Sequence, residues 1–292
     1  MIDNFERVIQ ADIHILYQSE SYRITDYKCS CINCSLSEPE YNDSFCISFI
    51  RSGFFEYQVF RHQYDAHVGR ILLSKPGYEH RARHIDNQPD VVTVFEFSKS
   101  FFETLKEQCH SAAGWFLENN DIHALLVSST ADTDYLHDLI LRLLQSNRAN
   151  ALQVDELVVG LLDKIFKLIN TESEMPSFSD KFKQLHLGTI ERAIDYMQKH
   201  FSENISLEQL SGYCFVSPFH FSRIFKNILR TSPHKYLLQI RLAHAKILLT
   251  STSRPVGDIA FDCGFNSLEH FATAYRQRFR MSPSEQRVQF AV

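Results

Sequence analysis

The chain has 292 residues, 44% of them hydrophobic, and carries 30 Lys and Arg against 35 Asp and Glu for a formal net charge of −5. That length favours two domains, each with apolar residues enough for its own core. No apolar run reaches the roughly 18 residues that span a bilayer; the best, Leu157–Ile169, is broken by Asp163, Lys164 and Lys167.

The N-terminus has neither the basic start nor the continuous apolar stretch of a signal peptide, so a cytoplasmic protein without membrane contact is expected. Seven cysteines, an odd number scattered along the chain, do not make a disulfide framework. Three of them, Cys29, Cys31 and Cys34, stand close together in K-C-S-C-I-N-C. Such thiolates can take zinc or copper(I), with His80 or Cys46 as a fourth ligand, or pair as a redox sensor. They equally suit small core fillers, and C-x-C-x-x-C lacks the second half of a zinc motif.

From there to about residue 100, short runs rich in Phe, Ile, Val and Tyr predominate. Cys46–Arg51, Phe54–Arg61, Val68–Ser74 and Val91–Phe97 are separated by turn residues such as Ser52-Gly53 and Lys75-Pro76-Gly77-Tyr78. The pattern predicts a barrel or sandwich of seven or eight strands. Two helices are predicted next. Thr133–Ser146 carries Leu136, Ile140, Leu143 and Leu144, and Gln153–Asn170 carries Leu157, Leu161, Ile165 and Leu168 along one stripe. That stripe suits either a dimer contact or a cap on the barrel. The polar stretch TESEMPSFSDKF, residues 171–182, reads as a linker between a sensor domain over 1–170 and a C-terminal domain over 184–292.

Downstream of Ser202 one helical pattern is written twice. Leu207–Pro233 reads LEQLSGYCFVSPFHFSRIFKNILRTSP, and Val256–Pro283 reads VGDIAFDCGFNSLEHFATAYRQRFRMSP. Before the serine the offset is 49 (Leu207 with Val256, Cys214 with Cys263); from Ser217 and Ser267 onward it is 50. The extra residue falls in the turn, where a loop tolerates it. Ser217 sits at an N-cap position, with Pro218 at the first helical position. Phe221, Ile224, Phe225 and Ile228 then fall on one buried face, and Phe219, His220, Ser222, Arg223 and Lys226 on the other. This is a helix-turn-helix presenting a recognition helix. The predicted helix between the copies is about 27 Å long at 1.5 Å per residue, near the roughly 34 Å repeat of one groove face. Charge divides the same way: residues 184–292 have 13 basic against 8 acidic residues, whereas 1–183 have 17 against 27. A basic half suits phosphate contact.

F-S-R-I-F-K at Phe221–Lys226, R-L-A-H-A-K-I-L-L at Arg241–Leu249 and I-A-F-D-C-G-F at Ile259–Phe265 resemble the DNA-binding domain of the AraC/XylS family of transcription regulators. The resemblance implies that Phe219, Ser222 and Arg223 face bases from the first recognition helix, as do Leu268, Glu269, Ala272 and Thr273 from the second. Ser217, His220, Lys226, Ser267 and Arg276 complete the expected double-stranded DNA surface. The glycine usual before each S-P pair is Arg230 in one copy and Arg280 in the other, so each helix needs another stop while gaining a phosphate contact.

G-R-I-L-L-S-K-P-G-Y-E-H, Gly69–His80, is similar to the cupin-like sensor barrel of the same family. The fold implied is α+β: a cupin-like barrel with a following helix pair, then an all-α domain whose two helix-turn-helix motifs are joined by a long helix. His80, Glu79, Arg81, His84 and Tyr57 are then candidate contacts to a small organic effector, although a solvated surface turn explains the charged ones equally well. No enzyme is expected: His62 and His67 do not form the H-x-H of a catalytic cupin. The resemblance further implies an activator acting as a homodimer with RNA polymerase.

Overall fold

The computed structural model describes residues 11–29, 36–84, 89–108, 110–145, 150–169 and 178–290. The chain divides into two compact units. One holds Met1–Ser129 with Leu162–Gly188, the other Thr130–Leu161 with Thr189–Val292.

Among the described residues ten strands build the first unit: β1 (Ala11–Gln18), β2 (Tyr22–Cys29), β3 (Glu40–Asn42), β4 (Phe45–Ser52), β5 (Phe54–Val59), β6 (His62–His67), β7 (Arg70–Ser74), β8 (Tyr78–His84), β9 (Val91–Phe97) and β10 (Ala124–Ser128). They form an antiparallel six-stranded sheet, β1-β2-β9-β4-β7-β10, and a four-stranded one, β3-β8-β5-β6. The α+β class and the barrel expected from the sequence are present: the stretch from about residue 20 to 100 holds eight strands, β2 to β9, in line with the seven or eight expected, and β1 and β10 are added from outside it.

The central strand β4 explains why the barrel was legible. Successive side chains point to opposite faces. Phe45, Ile47 and Phe49 take one face, where Phe45 stacks at 4.8 Å on Phe102 of α1 (Lys99–Gln108). Ile50 faces the inside, in a cluster with Phe55, Tyr57, Val59, Leu72 and Val92 drawn from both sheets. A strand covered on both sides reads as a continuous apolar run, and each buried aromatic of this kind contributes about 1.5–3 kcal/mol. By contrast β8, with the sequence YEHRARH, has no apolar run to betray it.

α2 (His110–Leu117) follows α1; then come β10, α3 (Ala131–Gln145), α4 (Ala151–Ile169) and α5 (Asp180–His200). α3 and α4 lie within two residues of the predicted helix pair. Of the expected linker, residues 171–177 lie outside the described residues, and 180–182 already belong to α5.

The second unit contains α6 (Leu207–Tyr213), α7 (Pro218–Leu229), α8 (Pro233–Ser251), α9 (Val256–Asp262), α10 (Leu268–Phe279) and α11 (Pro283–Phe290). α6 packs on α7, α9 on α10, and α8 touches α3, α7, α9 and α11. The sequence spacing alone puts Tyr236, Ile240, Ala243 and Ile247 on one face of this helix. That many neighbours corrects the single face: Tyr236 and Ile240 are buried, but so are Leu237, Leu242, Ala245 and Leu249, while Ala243 and Ile247 are only half-buried. No helix among the described residues is long and apolar enough to cross a membrane.

Candidate nucleic-acid interface

The first motif starts one residue earlier than the repeat suggests. Ser206 Oγ accepts the Gln209 N–H at 3.1 Å, and Gln209 Oε1 accepts the Ser206 N–H at 2.8 Å. This reciprocal capping box satisfies two N–H groups that a helix leaves unpaired. The S-x-x-Q spacing was the available signal for it. Leu210 and Cys214 are buried, and a tight turn leads to Ser217, whose Oγ accepts the His220 N–H at 3.4 Å. α7 buries Phe221, Ile224, Phe225 and Ile228. Its other side exposes Arg223 and Lys226, with Ser222 and His220 half-buried, and Phe219 is 79% exposed. Arg223 Nη2 lies 3.5 Å from His220 Nδ1, which places the two polar groups side by side.

The second motif repeats the construction. Ser267 Oγ accepts the His270 N–H at 3.2 Å. Phe271, Ala274 and Tyr275 are buried against Ile259, Ala260 and Cys263, while Leu268, Glu269, Ala272, Thr273 and Arg276 are exposed. Cys214 and Cys263 occupy equivalent buried places, and burial pushes the Cys263 thiol up to about 12. Both are core fillers without thiolate chemistry.

The helix stops expected to need a substitute for glycine find none. Arg230 and Arg280 themselves adopt the left-handed conformation, with φ of 57° and 64°, and their N–H groups donate to Lys226 O and Arg276 O. Holding that conformation costs a residue with a Cβ about 1–2 kcal/mol. Both side chains are exposed.

One residue of this surface escaped the sequence reading. Phe215, in the first turn, has φ of 59° and is 87% exposed. Its counterpart Gly264 has φ of 81°, and a Cβ there would meet the Phe201 and Ser202 carbonyls at 2.9 and 2.8 Å. Glycine in one copy therefore has a steric reason, whereas a solvent-facing aromatic in a left-handed conformation has no packing reason. The signal was the pairing of Phe215 with Gly264 at an offset of 49.

In the barrel unit the alternation of β8 sorts the effector candidates. His80 stacks on Tyr57 with ring centroids 5.0 Å apart, and burial holds its imidazole below its ordinary pKa. Its Nδ1 is buried and has no well-formed hydrogen bond among the described residues. Glu79 is exposed and lies 3.8 Å from Arg81, so these two pair with each other beside the interior group. His84 sits apart from His80, its Nε2 2.8 Å from Asp90 Oδ1. Cys46 is buried beside Asn42, and burial pushes its thiol up to about 12. Cys31 and Cys34 lie outside the described residues.

Of the apolar stripe on α4, Leu161 and Ile165 are buried, and Leu157 and Leu168 half-buried; Leu152 and Val159 are the exposed large apolar residues of that helix.

A family model described as an AraC-like ligand binding domain matches residues 35–162, and one described as a helix-turn-helix domain matches residues 210–289. The uncharacterised HTH-type transcriptional regulator YbfI of Bacillus subtilis (strain 168) is 26% identical over 275 residues, 92% of this chain and 90% of its own. The lactose operon transcription activator of Staphylococcus xylosus is 26% identical over 173 residues; the match covers 59% of this chain and 61% of the activator, less than two thirds of its length. A crystal structure of a transcriptional regulator with an AraC-type DNA-binding domain, from Chromobacterium violaceum, is 37% identical over 35% of this chain and 92% of that one, with a TM-score of 0.34. With a ligand-binding match over the barrel and a helix-turn-helix match over the doubled motif, the chain belongs to the AraC-type family of transcriptional regulators.

Proposed function

We propose that this chain is a transcription activator that reads two successive major-groove segments with α7 and α10, under control of a small organic effector bound in the barrel. The observation that carries the DNA reading is the pair of helices with matching serine caps, matching buried faces and exposed polar faces. Phe219, Ser222 and Arg223 read bases from α7. Leu268, Glu269, Ala272 and Thr273 meet them from α10, where Glu269 suits a cytosine amino group. Lys226, Arg230, Arg276 and Arg280 neutralise phosphates. The second helix, with Thr273 in place of Arg223, contributes more positioning than reading.

The partly buried His80, whose Nδ1 has no well-formed hydrogen bond among the described residues, and the stacked Tyr57 ring favour an effector that offers a polar atom next to a flat or apolar body. The effector acts by binding the DNA-competent state more tightly than the other. The lactose operon relative supports activation as the direction of control. Activation implies contact with RNA polymerase; homodimerisation and a cytoplasmic location complete the reading.

Selection of binding sites from random duplexes by the full chain, followed by footprinting, tests it. A recovered sequence with two protected major-groove segments about one helical turn apart is expected. Protection without sequence preference would overturn the specific-regulator reading.

A further inference from the structure

The ends of β2 and β8 and the start of β9 bring together three potential ligands that no local motif connects. Cys29 ends β2 and His84 ends β8, with Asp90 just before β9. Their Sγ, ring nitrogen and carboxylate oxygen all lie within 4.8 Å of one another. Ligand atoms around a tetrahedral zinc, at bond lengths of about 2.0–2.3 Å, stand about 3.3–3.8 Å apart, so small side-chain rotations close the set. The backbone holds the group in place: the Cys29 N–H donates to Asp90 O at 2.9 Å. Gly53, with φ of +74°, approaches so closely that a Cβ there would lie 2.7 Å from the Asp90 Cα.

Charge points the same way. The His84 and Asp90 side chains are only 14% and 12% exposed. The neighbouring arginines are engaged elsewhere, Arg83 with Glu56 at 2.8 Å, Arg51 with Asp26, and Arg81 with Glu79. A sheltered carboxylate and thiol beside one imidazole form a soft-to-borderline donor set of sulfur, nitrogen and oxygen. Such a set matches zinc better than calcium or magnesium, which take oxygen.

We propose that Cys29, His84 and Asp90 form a binding site for a zinc-like divalent cation, with a fourth position left for water, that ties the six-stranded sheet to the four-stranded one. The inference stands apart from the effector reading, since it uses neither His80 nor Tyr57.

Cobalt(II) and zinc titrations of the reduced, metal-stripped full chain test it. One cobalt per chain is expected, with thiolate-to-cobalt charge-transfer absorption that zinc abolishes, and zinc should raise the melting temperature of the apo protein. Cys29→Ser should remove the charge-transfer band. His84→Gln and Asp90→Asn should each weaken zinc binding by about 10–100-fold or more, the range that even outer-shell changes produce. If Cys29→Ser fails to fold, the other two variants decide. A chain that takes up no cobalt at micromolar concentrations overturns the proposal. So does a band that survives Cys29→Ser and disappears only in Cys31→Ser or Cys34→Ser. Metal binding without sequence-specific DNA binding would leave this site standing while the regulator reading fails, and the converse separates them equally.

Discussion

The Tyr236 hydroxyl, on the helix joining the two helix-turn-helix motifs, donates to the Asp134 carboxylate of α3 at 2.6 Å. α3 also supplies Tyr135, 2.5 Å from His244 Nδ1 on α8, and Asp132, 2.5 Å from Arg278 on α10. Burial keeps the His244 imidazole below its ordinary pKa and the Tyr135 phenol above its own, so the phenol donates to a neutral ring. Within the second unit, α3 thus holds both the joining helix and the second recognition helix. A buried hydroxyl bonded to a charged acceptor contributes about 1.5–3 kcal/mol. Tyr236→Phe should lower the stability of this unit by about that amount, and a double-mutant cycle with Asp134→Asn should show coupling above about 0.5 kcal/mol. Additive effects in urea denaturation would mean that the bond contributes nothing specific.

Arg223→Ala tests base reading. A bidentate contact to guanine would cost about 1–3 kcal/mol on the selected site and little on random DNA. Equal losses on both, measured by gel shift at fixed salt, would make Arg223 a phosphate contact.

Arg230→Gly and Arg280→Gly should separate stability from affinity. Each removes a left-handed residue with a Cβ and should stabilise the fold by about 1 kcal/mol. Each should also lower the salt dependence of DNA binding by about one phosphate contact. Unchanged salt slopes would remove the two arginines from the interface.

The barrel unit should lose stability in mild acid through His67. Burial, with Arg70 and Lys183 nearby, lowers its pKa from 6.5 to about 4, against a weaker opposing pull from Asp65 and from the Val68 carbonyl. A depressed pKa means that the unfolded chain binds the proton first. The stability is fully present above pH 6.5 and is lost as pH falls towards about 4. The loss should total about 3 kcal/mol. Denaturation of wild type and His67→Gln at pH 7 and pH 5 checks this: the variant should show the shallower decline.

α4 offers a test of the dimer. Leu161 is 2% exposed, so Leu161→Lys should unfold or strongly destabilise the chain, because it buries an unpaired charge. Val159 is exposed on the same helix, and Val159→Lys should leave stability within about 0.5 kcal/mol while lowering the dimer fraction in sedimentation. A dimer indifferent to Val159→Lys would place the interface elsewhere.

The doubled helix-turn-helix was legible in the chain because its determinants are local. Ser217 and Ser267 cap N–H groups three residues on, and the spacing of Phe221, Ile224, Phe225 and Ile228 is set by the helix itself. The doubly covered strand β4 was legible for a similar reason, since an unbroken apolar run needs no knowledge of its partners. Tertiary structure decided what depends on register. On β8 a slip of one residue would exchange His80 for Glu79 and His84 for Arg83 at the interior face, and nothing in YEHRARH chooses between them. Pairing with β5, which sets Tyr57 against Ala82 and Phe55 against His84, makes that choice. Long-range pairing likewise carries Cys29 to His84 and Asp90 across more than 50 residues, and α3 packing brings Asp134 to Tyr236 across 102. Local capping and periodicity are written in neighbouring residues; which distant side chains meet is settled only when the sheets and helices close on one another.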